Sequence, residues 1–373
     1  MLMETATNKT LAILSHTAVL SSGGAWYIKN RNGELLVDLE RLGWEVTLIA
    51  RVDPGVREFA TFRLPNSIRV IPVDATGGKV KVVRGLLAAR RTARAADGLI
   101  AFMPSLLSAV VALSARVGYV MYAGHAWGML DGSAGWRLKL ENALASRAQA
   151  VITSGDALAE WFAQVHGVQP LVAVPQVPSE VAQRIRSRDE ELGAVPEVRL
   201  LFVGGLMKRK GIEELIQALA AFPEVPCRIV GSASEEGYAS TLAELPNVTL
   251  EGYADWDRLR EHYEWATVLV LPAHSEGLPR VIHEATAFGA ALVLTPVGGI
   301  PDRLTDGRDA IFVRVADAAD LERGLRVLVE DPSLIPQLSA SARQAVAPLF
   351  SAPSPAHQFD AVLRSGPGSP GRR

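Results

Sequence analysis

The stretch Glu276-Gly277-Leu278-Pro279-Arg280-Val281-Ile282-His283-Glu284 sets two carboxylates with seven residues between them. Immediately before it, Thr267 to Ala273 (TVLVLPA) is an apolar run of strand length, and the fixed φ of Pro279 suits a first helical position. The spacing therefore predicts strand, short loop, helix. At such a helix start the first amides lack an intrahelical acceptor and carry the positive end of the dipole. The turn thus favours an anion, a phosphate above all. Val281, Ala285 and Phe288 fall on one helical face and are expected to pack on the sheet. Glu284 is then directed away from that face, with Glu276 in the loop above it.

The pattern continues on both sides, from Asn247 to Val313 (NVTLEGYADWDRLREHYEWATVLVLPAHSEGLPRVIHEATAFGAALVLTPVGGIPDRLTDGRDAIFV), and includes the turn Gly298-Gly299. With its acid pair it resembles the donor half of the retaining glycosyltransferases of family 4. That resemblance implies an α/β chain of the GT-B fold: two Rossmann-like, doubly wound domains facing each other across a cleft, with a C-terminal helix crossing back to the first. It also implies that Glu276 holds the donor sugar's hydroxyls and Glu284 the nucleotide ribose, with Gly277, Leu278 and Arg280 near the diphosphate. Read from the residues alone, the pair is equally two solvated glutamates bracketing a helix start.

Upstream, Val198 to Val203 reads as a strand, Gly204-Gly205 as a turn and Gly211 to Ala221 as a helix; the signal repeats at Cys227 to Val230 with Gly231. The segment Phe202 to Gly211 (FVGGLMKRKG) resembles the family's diphosphate-binding loop, which has an arginine after its first glycine and a lysine before its last. Lys210 matches the lysine and is carried as catalytic with Glu276. Gly205 stands where the arginine is expected, beside Gly204, and Arg209 or Lys208 is the candidate replacement. A solvated basic loop is the plainer alternative. Gly252 and Tyr253 fall where the family contacts the nucleotide base. Asp255-Trp256-Asp257 directly precedes the helical run Arg258 to Trp265, so helix capping explains it better than metal binding. No obligatory metal or cofactor is expected, only a UDP- or GDP-linked sugar as donor substrate.

Toward the N-terminus, Thr10 to Ser15 is a buried-strand run, followed by Ser21-Ser22-Gly23-Gly24, a helix through Leu42 and a strand at Val46 to Ala50. This opens a doubly wound sheet without the full dinucleotide fingerprint. By resemblance Gly24 belongs to a glycine loop near the donor. The aromatic pair Trp26 and Tyr27, with Lys29 and Arg31 beyond, offers a flat surface and positive charge to an acceptor; core packing is the alternative for the aromatics. Ser67 to Val73 reads as another strand. Lys81 to Ala95 reads as a helix whose Val82, Val83, Leu86 and Leu87 stripe is assigned to the sheet, and whose arginines at 90, 91 and 94 oppose its dipole. After strand Tyr119 to Ala123, His125 sits at a carboxyl strand end, where the family places a histidine against the donor sugar. Val151 to Ser154 reads as a last strand, with Ser154 capping the next helix.

At 373 residues, 49% hydrophobic and 21% charged, the chain is expected to form two globular domains. Their expected limits are 1–180 and 197–348, joined by a linker at 181–196 and followed at 349–373 by the returning helix and a disordered tail. A single cysteine excludes a disulfide framework. The start MLMETATNKT lacks a signal-peptide pattern, and a cytoplasmic location is expected. Net charge is −2, split as 18 basic and 13 acidic residues up to 178 against 20 and 27 beyond. That asymmetry is ordinary solubility or a weak sign of an anionic partner or membrane surface. The expected partners are the nucleotide sugar and a small polar hydroxyl acceptor, and not a nucleic acid. Membrane association is not favoured, since it needs an exposed stripe on the 81–95 helix. The rival readings are an epimerase or hydrolase of the same fold, a lipid-acceptor transferase and a non-catalytic nucleotide-sugar binder.

Overall fold

The computed structural model describes residues 9–365 apart from 54, 56–61, 75–78, 104, 125–134, 174, 176, 187–195, 234–236 and 352–353. The chain forms two compact units, Met1–Gln176 with Pro353–Arg373, and Val177–Ala352.

The first unit is built on a parallel seven-stranded sheet of β1 (Lys9–Leu14), β4 (Trp44–Val52), β6 (Arg69–Asp74), β7 (Gly98–Met103), β8 (Val120–Ala123), β9 (Ala150–Thr153) and β10 (Leu171–Val172). Its order is β10-β9-β8-β7-β1-β4-β6, so the chain winds outward from β1 one way and from β7 the other. The strands are near-continuous apolar runs because both faces are covered. Helices α2 (Lys79–Ala95), α3 (Leu106–Ala115), α4 (Gly135–Ala145) and α5 (Asp156–His166) follow β6, β7, β8 and β9. Their inward residues fill one core with Leu99, Ala101 and Met121. On the opposite face α1 (Asn30–Arg41) and the C-terminal helix Pro355–Ser365 pack with Ile13, Val46 and Ile100. Phe359 of that last helix is buried there, and Asp360 accepts a hydrogen bond from the Trp44 indole at 2.7 Å.

Three readings are corrected in this unit. The segment after β1 is not a loop leading straight to a helix: β2 (Leu20–Ser22) and β3 (Ala25–Ile28) pair as an antiparallel hairpin, extended by β5 (Phe62–Arg63). Gly23 and Gly24 form its two-residue turn with φ of 57° and 76°, the double-positive geometry that matches strand twist. Second, the apolar stripe of α2 does not all face the sheet. Leu86 packs against the core, whereas Val83 and Leu87 are 54% and 49% exposed, because Ala89 and Ala93 supply the buried contacts. Third, Ser154 does not cap α5; its hydroxyl donates to the Gly124 carbonyl, and Gly155 holds the cap position.

The second unit carries a parallel six-stranded sheet of β11 (Leu200–Val203), β12 (Cys227–Val230), β13 (Val248–Gly252), β14 (Val268–Leu271), β15 (Ala291–Leu294) and β16 (Ile311–Phe312), in the order β13-β12-β11-β14-β15-β16. Helices α6 (Ser179–Arg186), α7 (Ile212–Leu219), α8 (Tyr238–Ala243), α9 (Trp256–Trp265), α10 (Arg280–Ala287), α11 (Ala318–Glu330) and α12 (Leu334–Val346) surround it. The start of the expected linker is therefore helical: Val181 and Ile185 of α6 are buried in this unit's core, and residues 187–195 lie outside the described residues. Asp255 caps α9, accepting from the Arg258 amide at 3.1 Å.

Candidate active site

In the second unit the chain winds from β11 through β12 to β13, then restarts at β14 on the other side of β11. The carboxyl ends of β11 and β14 therefore flank a topological switch point, where an open α/β sheet leaves a crevice for ligands. Gly204 and Gly205 follow β11, Tyr253 follows β13, and Glu276 follows β14. Gly204, Gly205, Tyr253 and the loop of Glu276, Gly277 and Leu278 thus share one sheet edge. Pro279 caps α10 rather than opening it, and Arg280 is the first helical residue.

Backbone contacts hold this edge to narrow tolerances. A Cβ on Gly231 would lie 1.8 Å from the Gly204 carbonyl oxygen, and one on Gly211 (φ 73°) 2.0 Å from that of Pro272. Between them Lys208–Lys210 makes a single 3₁₀ turn, laced to the loop after β14 by the His274 amide donating to the Arg209 carbonyl at 2.9 Å. That lacing brings Lys210 to Glu276: the ammonium donates to the carboxylate, and the two side chains keep 15% and 12% of their surface exposed. Two opposite charges meet at the mouth of the switch point. The Gly298-Gly299 turn lies across the same loop, with the Gly299 amide donating to the Gly277 carbonyl at 2.8 Å. A Cβ on Gly298 (φ 57°) would stand 1.9 Å from the Glu276 carbonyl oxygen.

The other basic residues separate. Lys208 pairs with Glu213 at 3.1 Å, and Arg209 lies exposed on the turn. Glu213 sits in the first turn of α7 and also accepts from the Tyr238 hydroxyl; these hydrogen bonds, led by Tyr238, hold its carboxyl below the usual range. Glu284 is not directed away from the packed face as the face assignment implied. Its carboxylate is fully buried and accepts from the Tyr263 hydroxyl at 2.7 Å, because Ile282, Ala285 and Glu284 all turn inward on α10 while Val281 and Phe288 are half-buried. In the first unit, Trp26 and Tyr27 are half-buried on β3, with Trp26 packing on the core, and Lys29 is the N-cap residue of α1. His125 lies outside the described residues, and Arg31 lies in α1 with its side chain outside them.

Sequence reasoning missed three side chains here. Tyr263 seals Glu284, and a buried phenol always needs a partner for its hydroxyl, which is the signal that was available. His274 Nε2 meets Glu214 Oε1 at 3.1 Å behind the acid loop, while Glu214 Oε2 is buried without a hydrogen bond. His283, next to Glu284, is fully buried against the Phe350 ring with neither ring nitrogen bonded. Burial pushes its pKa down to about 4, Glu284 opposing that shift and Arg303 adding to it. Among the described residues no group of histidine, cysteine and acidic side chains could hold a metal ion.

A family model described as glycosyl transferases group 1 matches residues 184–345, and one described as glycosyl transferase 4-like domain matches residues 28–176. Each of the two units thus has its own match. The chain has the GT-B fold, and a glycosyl transferase family model matches each of its units. D-inositol 3-phosphate glycosyltransferase of Streptomyces coelicolor is 33% identical over 169 residues, 39% of this chain and 36% of that one. Its counterpart in Streptomyces bingchenggensis is 27% identical over 232 residues, 54% of this chain and 50% of that one. The chain spans about half the length of the curated relatives it matches. Sucrose-phosphate synthase from Thermosynechococcus elongatus has the same fold, with a TM-score of 0.72 at 21% identity over 96% of this chain and 98% of that one. So does the Anabaena HepE protein in complex with UDP-glucose, with a TM-score of 0.71 at 17% identity over 96% and 100%. These similarities give the two-domain architecture.

Proposed function

We propose that the protein transfers a sugar from a nucleoside-diphosphate donor to a hydroxyl acceptor with retention of configuration. The observation that carries this reading is the Lys210–Glu276 pair at the start of α10, beside backbone that the Gly298 turn holds in place. In the structure the two charges satisfy each other. On donor binding, Lys210 turns to the leaving diphosphate and Glu276 to the sugar hydroxyls, while the first amides of α10 face the phosphate oxygens. Stabilising the departing diphosphate in a preorganised setting is then the main catalytic contribution, and it needs no proton transfer from Glu276. Gly204, Gly205 and Tyr253 complete the donor side along the sheet edge. Glu284 reaches the ribose only when nucleotide entry uncovers one carboxylate oxygen now sealed by Tyr263. His125, Gly24, Trp26, Tyr27 and Lys29 are assigned to the sugar and acceptor side. The names of the D-inositol 3-phosphate glycosyltransferases and the UDP-glucose complex of HepE support a nucleotide-sugar donor and a polar acceptor bearing hydroxyls.

The test is nucleotide release from UDP- and GDP-sugars across a panel of sugar and cyclitol phosphates, with the product's anomeric configuration read by NMR. Acceptor-dependent release with a retained anomer is the expected outcome. Release at full rate without acceptor would make the protein a hydrolase. Gly205 in place of an arginine supports one second reading, a nucleotide-sugar binder without turnover, which calorimetric binding with no release over the panel would establish.

A further inference from the structure

Among the described residues, the large apolar side chains left exposed are concentrated in one region of the first unit. Val80, Val83 and Leu87 lie on α2, Leu106 and Val110 on α3, and Trp136 on α4, with exposures from 49% at Leu87 to 65% at Val80. Leu138 of α4 adds a smaller exposed surface. The placement follows from topology. Helices α2, α3 and α4 each follow a strand of one parallel sheet and share one face of it, α3 packing between the other two. Their first turns therefore all start at the carboxyl edge. The exposed residues lie in the N-terminal halves of the helices, spaced i, i+3, i+7 on α2 and i, i+4 on α3, so each helix turns one apolar stripe away from the sheet.

On the described outward surface of these three helices the charge has one sign. The sequence of α2, KVKVVRGLLAARRTARA, holds six basic residues and no acidic one. Lys81 and Arg84 alternate with the exposed valines in its first turns, whereas Arg90 and Arg94 donate to the Ser114 and Ala115 carbonyls at the far end. Helix α3 carries no charge, and α4 adds Lys139 and Arg137, the latter lying over the Trp136 ring at 5.4 Å. The acid of α4, Glu141, is turned inward to His166. Apolar side chains, an exposed tryptophan and lysines or arginines with no exposed acid among them fit the interface of an anionic bilayer. There the aromatic and aliphatic groups enter the headgroup zone and the cations meet phosphates. A protein partner or a second copy would need acidic groups to match these cations. No helix among the described residues is long and apolar enough to cross a membrane, so the contact is peripheral.

We propose that this face, the N-terminal halves of α2, α3 and α4, docks the protein reversibly on membranes containing anionic phospholipid. Two weak signals act together, apolar insertion and charge, as stable peripheral binding requires. The acceptor need not itself be a lipid, and the docking is independent of the donor site on the other unit.

Co-sedimentation of the full chain with phosphatidylcholine vesicles, with and without phosphatidylglycerol, tests this. The expected result is binding to the anionic vesicles that falls about tenfold when phosphatidylglycerol is omitted or salt is raised. Val83→Ser with Leu87→Ser, and separately Trp136→Ser, should each lower the bound fraction about fivefold with an unchanged melting temperature. Lys81→Glu with Arg84→Glu should abolish the dependence on anionic lipid. Absence of binding to anionic vesicles overturns the proposal, as does binding that none of these folded variants weakens. Light scattering that shows a dimer dissolved by the serine substitutions, without vesicle binding, would assign the face to a second copy instead.

Discussion

Lys210 and Glu276 are paired in the structure but are assigned to different parts of the donor, and their variants should separate accordingly. Glu276→Gln keeps the size of the side chain but weakens its contact to the sugar; transfer should slow about a hundredfold while the melting temperature stays within a degree or two. Near-normal turnover would remove Glu276 from the reaction. Lys210→Ala should cost about 1.5 to 3 kcal/mol of transition-state stabilisation, read as kcat/KM, and more than Arg209→Ala, whose side chain points to solvent. If Arg209→Ala proves the worse variant, that arginine serves as the missing cation. Glu284→Gln discriminates two roles: loss of nucleotide affinity supports the ribose contact, whereas a fall in stability alone makes the residue a buried partner of Tyr263. His283 adds a dependence on pH. Its folded pKa lies near 4 against an ordinary 6.5, so as pH falls the unfolded chain takes up the proton first. The stability this gives is complete above about pH 6.5 and is lost down to about pH 4, a change on the order of 3 kcal/mol. As pH falls over that range, the denaturant midpoint of the protein should drop relative to that of His283→Phe, which has no titrating ring there, if burial of the neutral ring is the cause.

Gly298 works through the loop it crosses. A methyl group there would meet the Glu276 carbonyl and would also sit at a positive φ, so Gly298→Ala must shift the acid loop. The expected outcome is activity reduced as far as in Glu276→Gln, together with a lower melting temperature, which the glutamine variant does not show. At this scale the strands and the strand–loop–helix plan around Glu276 were legible, because β14 and β15 are uninterrupted apolar runs and the glycines punctuate them. Three features were not. Period alone could not tell which side of α10 was buried, since Ile282 to Ala287 is covered on nearly every side and Glu284 is inside through a partner distant in sequence. The α2 stripe is amphipathic in either orientation, and alanines at 89 and 93 took the sheet contact that the valines were expected to make. The hairpin at Gly23-Gly24 was hidden because its strands are three and four residues long, below the length at which alternation is informative.

The two units differ in how the chain closes them. The second is continuous in sequence, while the first takes its final helix from Pro355–Ser365. Phe359 is 2% exposed in a core made, apart from this helix, of residues up to 173. Phe359→Ala should destabilise the first unit by about 3 to 5 kcal/mol, the usual cost of removing a buried ring. In a two-transition melt the unit holding Trp44 should then unfold earlier and the other should hold its midpoint; a single transition shifted as a whole would show that the units unfold together. Because that helix follows the whole of the second unit in the chain, the order of maturation is fixed. The continuous unit can complete its core while the chain is still growing. The first unit, whose strands are made earliest, must keep the pocket for Phe359 open until translation reaches that residue. On the ribosome, the earlier half is the one that waits.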